Sequence, residues 1–131
     1  MSVTKEQREY YNQNGYLVLD SEISESVLDA IIDDLKDKYT SDAKIDVTYQ
    51  DARRLQDAWR INKNVKNLAL NPKILNILES LYERKPLAFQ TLNFPVGTEQ
   101  PPHSDTIHFN SIPTGFMCGV WIALEDMDEN N

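Results

Sequence analysis

The sequence contains one cysteine among 131 residues, and this scarcity excludes two kinds of structure. Cys118 alone supports neither an internal disulfide nor a zinc site built on a cysteine pair. It lies in the most apolar run of the chain, residues 116–124, where a buried and unreactive thiol is expected. That run is too short to cross a bilayer, and residues 1–9 have no apolar signal-peptide core. We therefore expect a cytoplasmic protein with a reduced cysteine.

Positive charge is also scarce, with 13 Lys and Arg against 21 Asp and Glu, for a net charge of -8. Nucleic acids and anionic membrane surfaces both attract basic residues, so neither is an expected partner. The simplest role of the acidic surface is solubility. The length, the 40% hydrophobic content and the absence of repeats are typical of one soluble domain.

Helix signals dominate residues 1–85. Thr4 is a predicted N-cap for a helix that ends at Gly15, and Ser24 opens a second helix with apolar residues at helical spacing. Asn71-Pro72 predicts the start of another helix, with Asn as cap and Pro in the first turn. Further elements expected here are a short strand at 16–19, a polar irregular stretch at 40–47, a helical turn or short helix at 51–59 and a helix at 64–70.

Beyond Pro86 the pattern changes to strands, predicted at residues 87–94, 102–109 and 116–124. Helices followed by a run of strands indicate an α+β fold, with helices supporting an antiparallel sheet. Three strands alone close neither a barrel nor a sandwich. We therefore expect the natural fold to continue beyond residue 131.

The most informative motif is His103-Ser104-Asp105. On a strand, side chains two residues apart share one face, so the imidazole and the carboxylate would point the same way. They supply two of the three ligands in the 2-His-1-carboxylate triad of non-haem Fe(II) oxygenases. The alternative is a surface turn after two prolines, in which Asp105 caps local structure.

The second histidine of the chain, His108, is not assigned as the missing ligand. Its offset of three from Asp105 places it on the opposite face of a continuous strand. Support of the ligands, substrate contact and packing beside Phe109 are the roles expected for it.

Three stretches together resemble the phytanoyl-CoA dioxygenase family. They are Phe89–Phe109, which contains the motif, Met117–Asp126, and Tyr11–Leu19. The resemblance implies that residues 1–131 form one domain of a double-stranded β-helix (a jelly roll, cupin-like), truncated before closure. In this organisation residues 1–85 are mainly helical support and residues 86–131 form the first strands.

The resemblance also implies the chemistry. Fe(II), 2-oxoglutarate and O2 would hydroxylate a small organic substrate, and His103 and Asp105 match the first two iron ligands. Gln90 matches a position that contacts 2-oxoglutarate, and Trp121 matches an aromatic that lines its pocket. Arg54 matches more loosely a position where relatives carry a basic residue near the cosubstrate. The alternatives are an ordinary core aromatic for Trp121 and a solvated helix residue for Arg54.

The family's distal iron histidine and its 2-oxoglutarate arginine have no counterpart in this sequence. We therefore expect the isolated chain to bind iron weakly and not to couple 2-oxoglutarate decarboxylation to hydroxylation. Robust succinate release abolished by Asp105→Ala would contradict this expectation. Two alternatives to an enzyme are an inactive or partner-dependent fragment, completed by strands from another chain, and a jelly-roll half that binds metal without turnover.

Overall fold

The computed structural model describes residues 2–98 and 100–130, and it confirms a mixed α+β architecture of helices and a small antiparallel sheet. Glu99, within one of the stretches that resemble the family, lies outside the described residues. The helices are α1 (Lys5–Asn14), α2 (Glu25–Leu35), α3 (Lys63–Ala69) and α4 (Pro72–Tyr82). The strands are β1 (Tyr49–Asp51), β2 (Arg54–Gln56) and β3 (Leu92–Asn93), and 3-10 turns span Ala58–Arg60 and Asp105–Ile107.

The helices begin and end at the predicted signals because capping depends on neighbouring residues. Thr4 Oγ1 accepts a bond from the Gln7 backbone at 3.2 Å, and Gln7 Oε1 accepts one from the Thr4 backbone at 2.9 Å. This reciprocal pair is a capping box. Gly15 ends α1 with φ of 80°, a left-handed conformation that suits glycine. The Asn71 side chain caps α4, as its position before Pro72 predicts.

The sheet has the order β1–β2–β3 with both pairings antiparallel. Tyr49 pairs with Gln56 across the hairpin, and Leu55 pairs with Asn93. The helical turn predicted within residues 51–59 was therefore largely wrong, since only Ala58–Arg60 is helical. Strands of three residues are too short to reveal a period of two in the sequence.

The hydrophobic core lies between α2, α3 and β2. Its buried members are Ile31, Leu35, Leu55, Ala58 and Val65. Among partly buried residues packed against this cluster, Leu124 comes from the apolar run 116–124. Within residues 2–98 and 100–130, no helix is both long and apolar enough to cross a membrane.

The strand predictions for the C-terminal third were wrong in most of their length. Of residues 87–94 only Leu92–Asn93 is a strand, residues 102–109 contain the 3-10 turn, and residues 116–124 form no strand. The short strand predicted at 16–19 is also absent from the described chain. A strand needs a hydrogen-bonded neighbour, and apart from Leu92–Asn93 these segments have none within the described residues. Several of their apolar side chains are exposed, for example Leu87 at 85% and Trp121 at 68%.

Candidate metal centre

His103 is oriented by a backbone carbonyl just before it in the chain. Its Nδ1 lies 2.9 Å from the carbonyl oxygen of Pro101. A carbonyl oxygen only accepts hydrogen bonds, so Nδ1 carries the proton in this contact. In the neutral imidazole Nε2 then bears the free lone pair, as a metal ligand requires. Metal-bound histidines commonly donate their second ring nitrogen to such a carbonyl.

The free nitrogen of His103 faces the carboxylate of Asp105. Nε2 lies 3.6 Å from Asp105 Oδ1, and both side chains are partly exposed. An imidazole nitrogen and a carboxylate oxygen are both ligands that divalent metal ions accept in proteins. Ligand bonds of about 2.1 Å allow one ion to reach both atoms when they are less than about 4.2 Å apart. The pair therefore fits a shared divalent ion.

The motif lies on a turn and not on a strand, which corrects the predicted backbone. Asp105 begins the 3-10 turn, and its carbonyl accepts bonds from the backbones of His108 and Phe109, both at 3.0 Å. The alternative conformation, a surface turn after the prolines, is the one observed. The turn nevertheless brings the two predicted ligands together, because the side-chain contact depends on local backbone geometry and not on sheet pairing.

A glycine packs directly against the carboxylate. A Cβ added at Gly119 would lie 2.6 Å from Asp105 Oδ2, which is closer than real atoms approach. The apolar run 116–124 therefore passes beside the His103–Asp105 pair. Gly119 was not predicted as a site residue, although glycine within an apolar run often marks a close backbone approach.

The imidazole ring of His108 packs against the ring of His103. Its centroid is 6.0 Å from that of His103 and 6.5 Å from that of Phe109, both in edge-to-face geometry. Phe109 in turn contacts Phe89, with centroids 5.6 Å apart. Across the described part of the chain, no group of three or more His, Cys, Asp and Glu residues is placed to hold a metal. The structure thus brings two candidate ligands together.

Arg54 lies in β2, so its alternative interpretation as a helix residue was wrong. Its guanidinium carbon is 4.7 Å from the centre of the Tyr49 ring. The neighbouring Asp51 carboxyl has its pKa lowered, chiefly by the backbone N–H of Arg53, with a smaller effect of the Arg54 charge. Since strand side chains alternate, Arg54 lies on the sheet face opposite the buried Leu55.

Gln90 and Trp121 lie on the segments that flank the motif. Gln90 is half-buried beside Thr91, whose backbone is held by Asp57 through bonds of 2.8 and 3.2 Å. Trp121 is 68% exposed, so its interpretation as a core aromatic is wrong for the described chain.

The predicted cosubstrate residues are not joined to the metal ligands by specific contacts. Within residues 2–98 and 100–130, none of Arg54, Gln90 and Trp121 forms a hydrogen bond, ion pair or ring contact with either ligand.

Cys118 connects the segment beside Asp105 to the helices. Its sulfur lies 3.8 Å from the hydroxyl of Tyr11, which lies 2.6 Å from that of Tyr82. Burial is the main cause that raises the pKa of both phenols. The thiol is partly buried, whereas full burial was predicted.

The sequence of the chain matches a known protein family over most of its length. The sequence model described as phytanoyl-CoA dioxygenase (PhyH) matches residues 11–131. The chain belongs to this family. It is similar to phytanoyl-CoA dioxygenase domain-containing protein 1 of Danio rerio, with 33% identity over 70 residues. That alignment covers 50% of this chain and 24% of the relative, so it spans about a quarter of the relative's length. No solved structure matches the chain.

Proposed function

We propose that this chain supplies part of an Fe(II)- and 2-oxoglutarate-dependent dioxygenase that hydroxylates a small organic molecule, the complete enzyme also requiring the distal iron histidine and the 2-oxoglutarate arginine that this sequence lacks. Membership of the PhyH family supports a dioxygenase-type enzyme. The observation that carries the proposal is the contact of His103 Nδ1 with the Pro101 carbonyl, which leaves Nε2 free to face Asp105 at 3.6 Å. This donor set, one imidazole nitrogen and one carboxylate oxygen, suits divalent iron.

In the proposed site His103 and Asp105 hold the metal from one side. Their partial exposure leaves the remaining positions open to solvent or to the oxygens of a 2-oxo acid. Fe(II), when bound with 2-oxoglutarate and O2, supplies the oxidising chemistry for an unactivated C–H bond. The chain contributes orientation, because the Pro101 carbonyl fixes the imidazole and the 3-10 turn fixes the carboxylate.

The residues proposed to bind the cosubstrate lie in β2, in the segment just before β3 and in the apolar run 116–124. Arg54 and Gln90 are proposed to contact 2-oxoglutarate, and Trp121 to line its pocket. The positive charge of Arg54 and the amide of Gln90 are suited to carboxylate oxygens. The exposure of Trp121 leaves its ring available for such a contact. The proposal also includes a jelly roll around this site and a small-molecule substrate. It further includes a cytoplasmic location, which the single cysteine favours.

Exposed apolar side chains favour a second candidate function. Leu87, Val96 and Ile112 are exposed at 85%, 75% and 99%, and all lie in the C-terminal third. Exposed apolar side chains are available to pack against a partner chain. The second candidate is therefore a partner-dependent half-domain without turnover of its own.

Anaerobic titration with Fe(II), and with Co(II) as a spectroscopic substitute, tests the metal site. His103→Ala is expected to abolish saturable binding and Asp105→Ala to weaken it strongly, whereas Asp29→Asn, an exposed carboxylate of α2, leaves it unchanged. Addition of 2-oxoglutarate is expected to tighten binding in the unmodified protein, because the 2-oxo acid contributes two ligands. Equal metal affinity in the His103→Ala variant would overturn the assignment.

A further inference from the structure

We infer that Gly119 is a positioning residue for the Asp105 carboxylate, an inference that rests on the metal site proposed above. The two oxygens of this carboxylate have different neighbours. Oδ2 lies where a side chain at residue 119 would begin, and Oδ1 points toward His103 Nε2. Because Gly119 has no side chain, Asp105 Oδ2 can lie close to its backbone. In this orientation Oδ1 faces the proposed metal position beside His103.

The requirement for glycine at this position is steric and not conformational. The backbone at Gly119 is not in the left-handed region, so an alanine adopts the same backbone without strain. Both atoms within 4 Å of an added Cβ belong to Asp105, Oδ2 at 2.6 Å and Cγ at 3.8 Å. Among the described residues, a methyl group at Gly119 therefore collides only with the Asp105 carboxylate.

In a Gly119→Ala variant we expect the carboxylate to move in preference to the backbone, because the residues just before Gly119 pack against other parts of the chain. Cys118 contacts Tyr11, and the Phe116 ring lies 6.1 Å from that of Tyr82 and 4.3 Å from the Arg84 guanidinium. Asp105 is a short side chain with two rotatable bonds and is partly exposed. Rotation of its carboxylate relieves the collision at little cost to the fold, but it removes Oδ1 from its position opposite His103.

The experiment compares Co(II) affinity in five proteins: the unmodified chain, Gly119→Ala, Gly97→Ala, Asp105→Ala and the double variant Gly119→Ala with Asp105→Ala. Gly97→Ala is the matched control, since an added Cβ there meets no atom of the described residues within 4 Å and its φ is also not left-handed. Anaerobic titrations followed by cobalt absorption give the affinity. Thermal unfolding of the metal-free proteins reports on the fold.

Gly119→Ala is expected to weaken Co(II) binding by about 10- to 100-fold, the range found when a residue that orients a ligand is changed. Its unfolding temperature should stay close to that of Gly97→Ala, which binds cobalt normally. In the Asp105→Ala background the added methyl has no carboxylate to displace, so the residual affinity should match that of Asp105→Ala alone.

The outcomes separate this inference from the proposed function. Normal cobalt affinity in Gly119→Ala, with binding in the unmodified chain, overturns the positioning role and leaves the metal site in place. A further loss of affinity in the Asp105→Ala background also overturns it, because Gly119 would then act through the fold. No saturable binding in the unmodified chain overturns the metal site and the inference with it.

Discussion

The phenol oxygens of Tyr11 and Tyr82 lie 2.6 Å apart, which links α1 to the last residue of α4. The rings meet edge to face with centroids 6.1 Å apart. Cys118 and Phe116 pack on this pair, so the contact also anchors the segment that leads to Gly119. A second tyrosine pair, Tyr10–Tyr16, has the same hydroxyl contact at 2.7 Å but lies on the surface.

Tyr82→Phe is expected to lower the free energy of unfolding by about 1 kcal/mol, because it removes a hydrogen bond from a partly buried pair. Tyr16→Phe is the matched control, since it removes an equivalent bond from an exposed pair that water can replace. Urea unfolding followed by circular dichroism measures both changes. Equal losses in the two variants would show that burial of the Tyr11–Tyr82 pair adds nothing.

The same pair predicts how stability depends on alkaline pH. Burial raises the pKa of Tyr11 and of Tyr82 above the unfolded value of about 10. A raised pKa in the folded state means that the folded chain keeps protons which the unfolded chain releases. The corresponding stability is complete below pH of about 10 and is lost as the pH rises toward the folded values.

Urea midpoints at successive pH values above and below this threshold test the alkaline loss. The variant with both Tyr11→Phe and Tyr82→Phe is expected to lose less stability on going to alkaline pH than the unmodified chain. A part of the loss should persist in that variant, because burial also raises the pKa of Tyr39. Identical pH dependence with and without the two phenols would contradict the prediction.

The caps of α2 and α4 give a further prediction. Asn71 Oδ1 accepts bonds from the backbones of Lys73 at 2.9 Å and Ile74 at 3.4 Å, whereas the Ser24 side chain forms no capping bond to α2. Asn71→Ala should therefore cost roughly 0.5–2 kcal/mol of unfolding free energy, and Ser24→Ala distinctly less. Chemical denaturation of both variants measures this difference, and a larger loss for Ser24→Ala would refute it.

The contrast between these helices and the sheet explains how much of the fold was predictable. Thr4, Gly15 and Asn71 act on backbone groups within a few residues, so the sequence there contains the whole signal. Leu55 of β2 pairs with Asn93 of β3, and the residues around Leu55 do not predict a pairing partner so far along the chain. This is why strands were predicted where the described residues provide no neighbour. The hairpin of β1 and β2 was missed for a different reason, since its strands are only three residues long.

The same distinction between local and long-range contacts applies to the candidate metal site. His103 and Asp105 were predicted from adjacent residues, and the structure brings them within 3.6 Å even though the backbone is a turn. Gly119 reaches Asp105 only through the path of the chain between them. Its contact with the carboxylate depends on packing against α1 and α4, which a motif does not encode.

His108 provides the last prediction, because it distinguishes support of His103 from direct ligation. The two imidazole rings meet edge to face at 6.0 Å, and His108 also contacts the Phe109 ring. His108→Phe keeps an aromatic ring for both contacts but removes the nitrogen atoms. We expect its Co(II) affinity to equal that of the unmodified chain, because packing on His103 is preserved.

His108→Ala completes this comparison by removing the ring itself. Its Co(II) affinity should fall by less than that of His103→Ala, because an aromatic pair contributes only about 0.5–1.5 kcal/mol. Anaerobic cobalt titrations of the three variants give the ranking, and thermal unfolding shows whether each is folded. Loss of saturable binding in the folded His108→Phe variant would instead identify His108 as a metal ligand, since its ring contacts would still be in place.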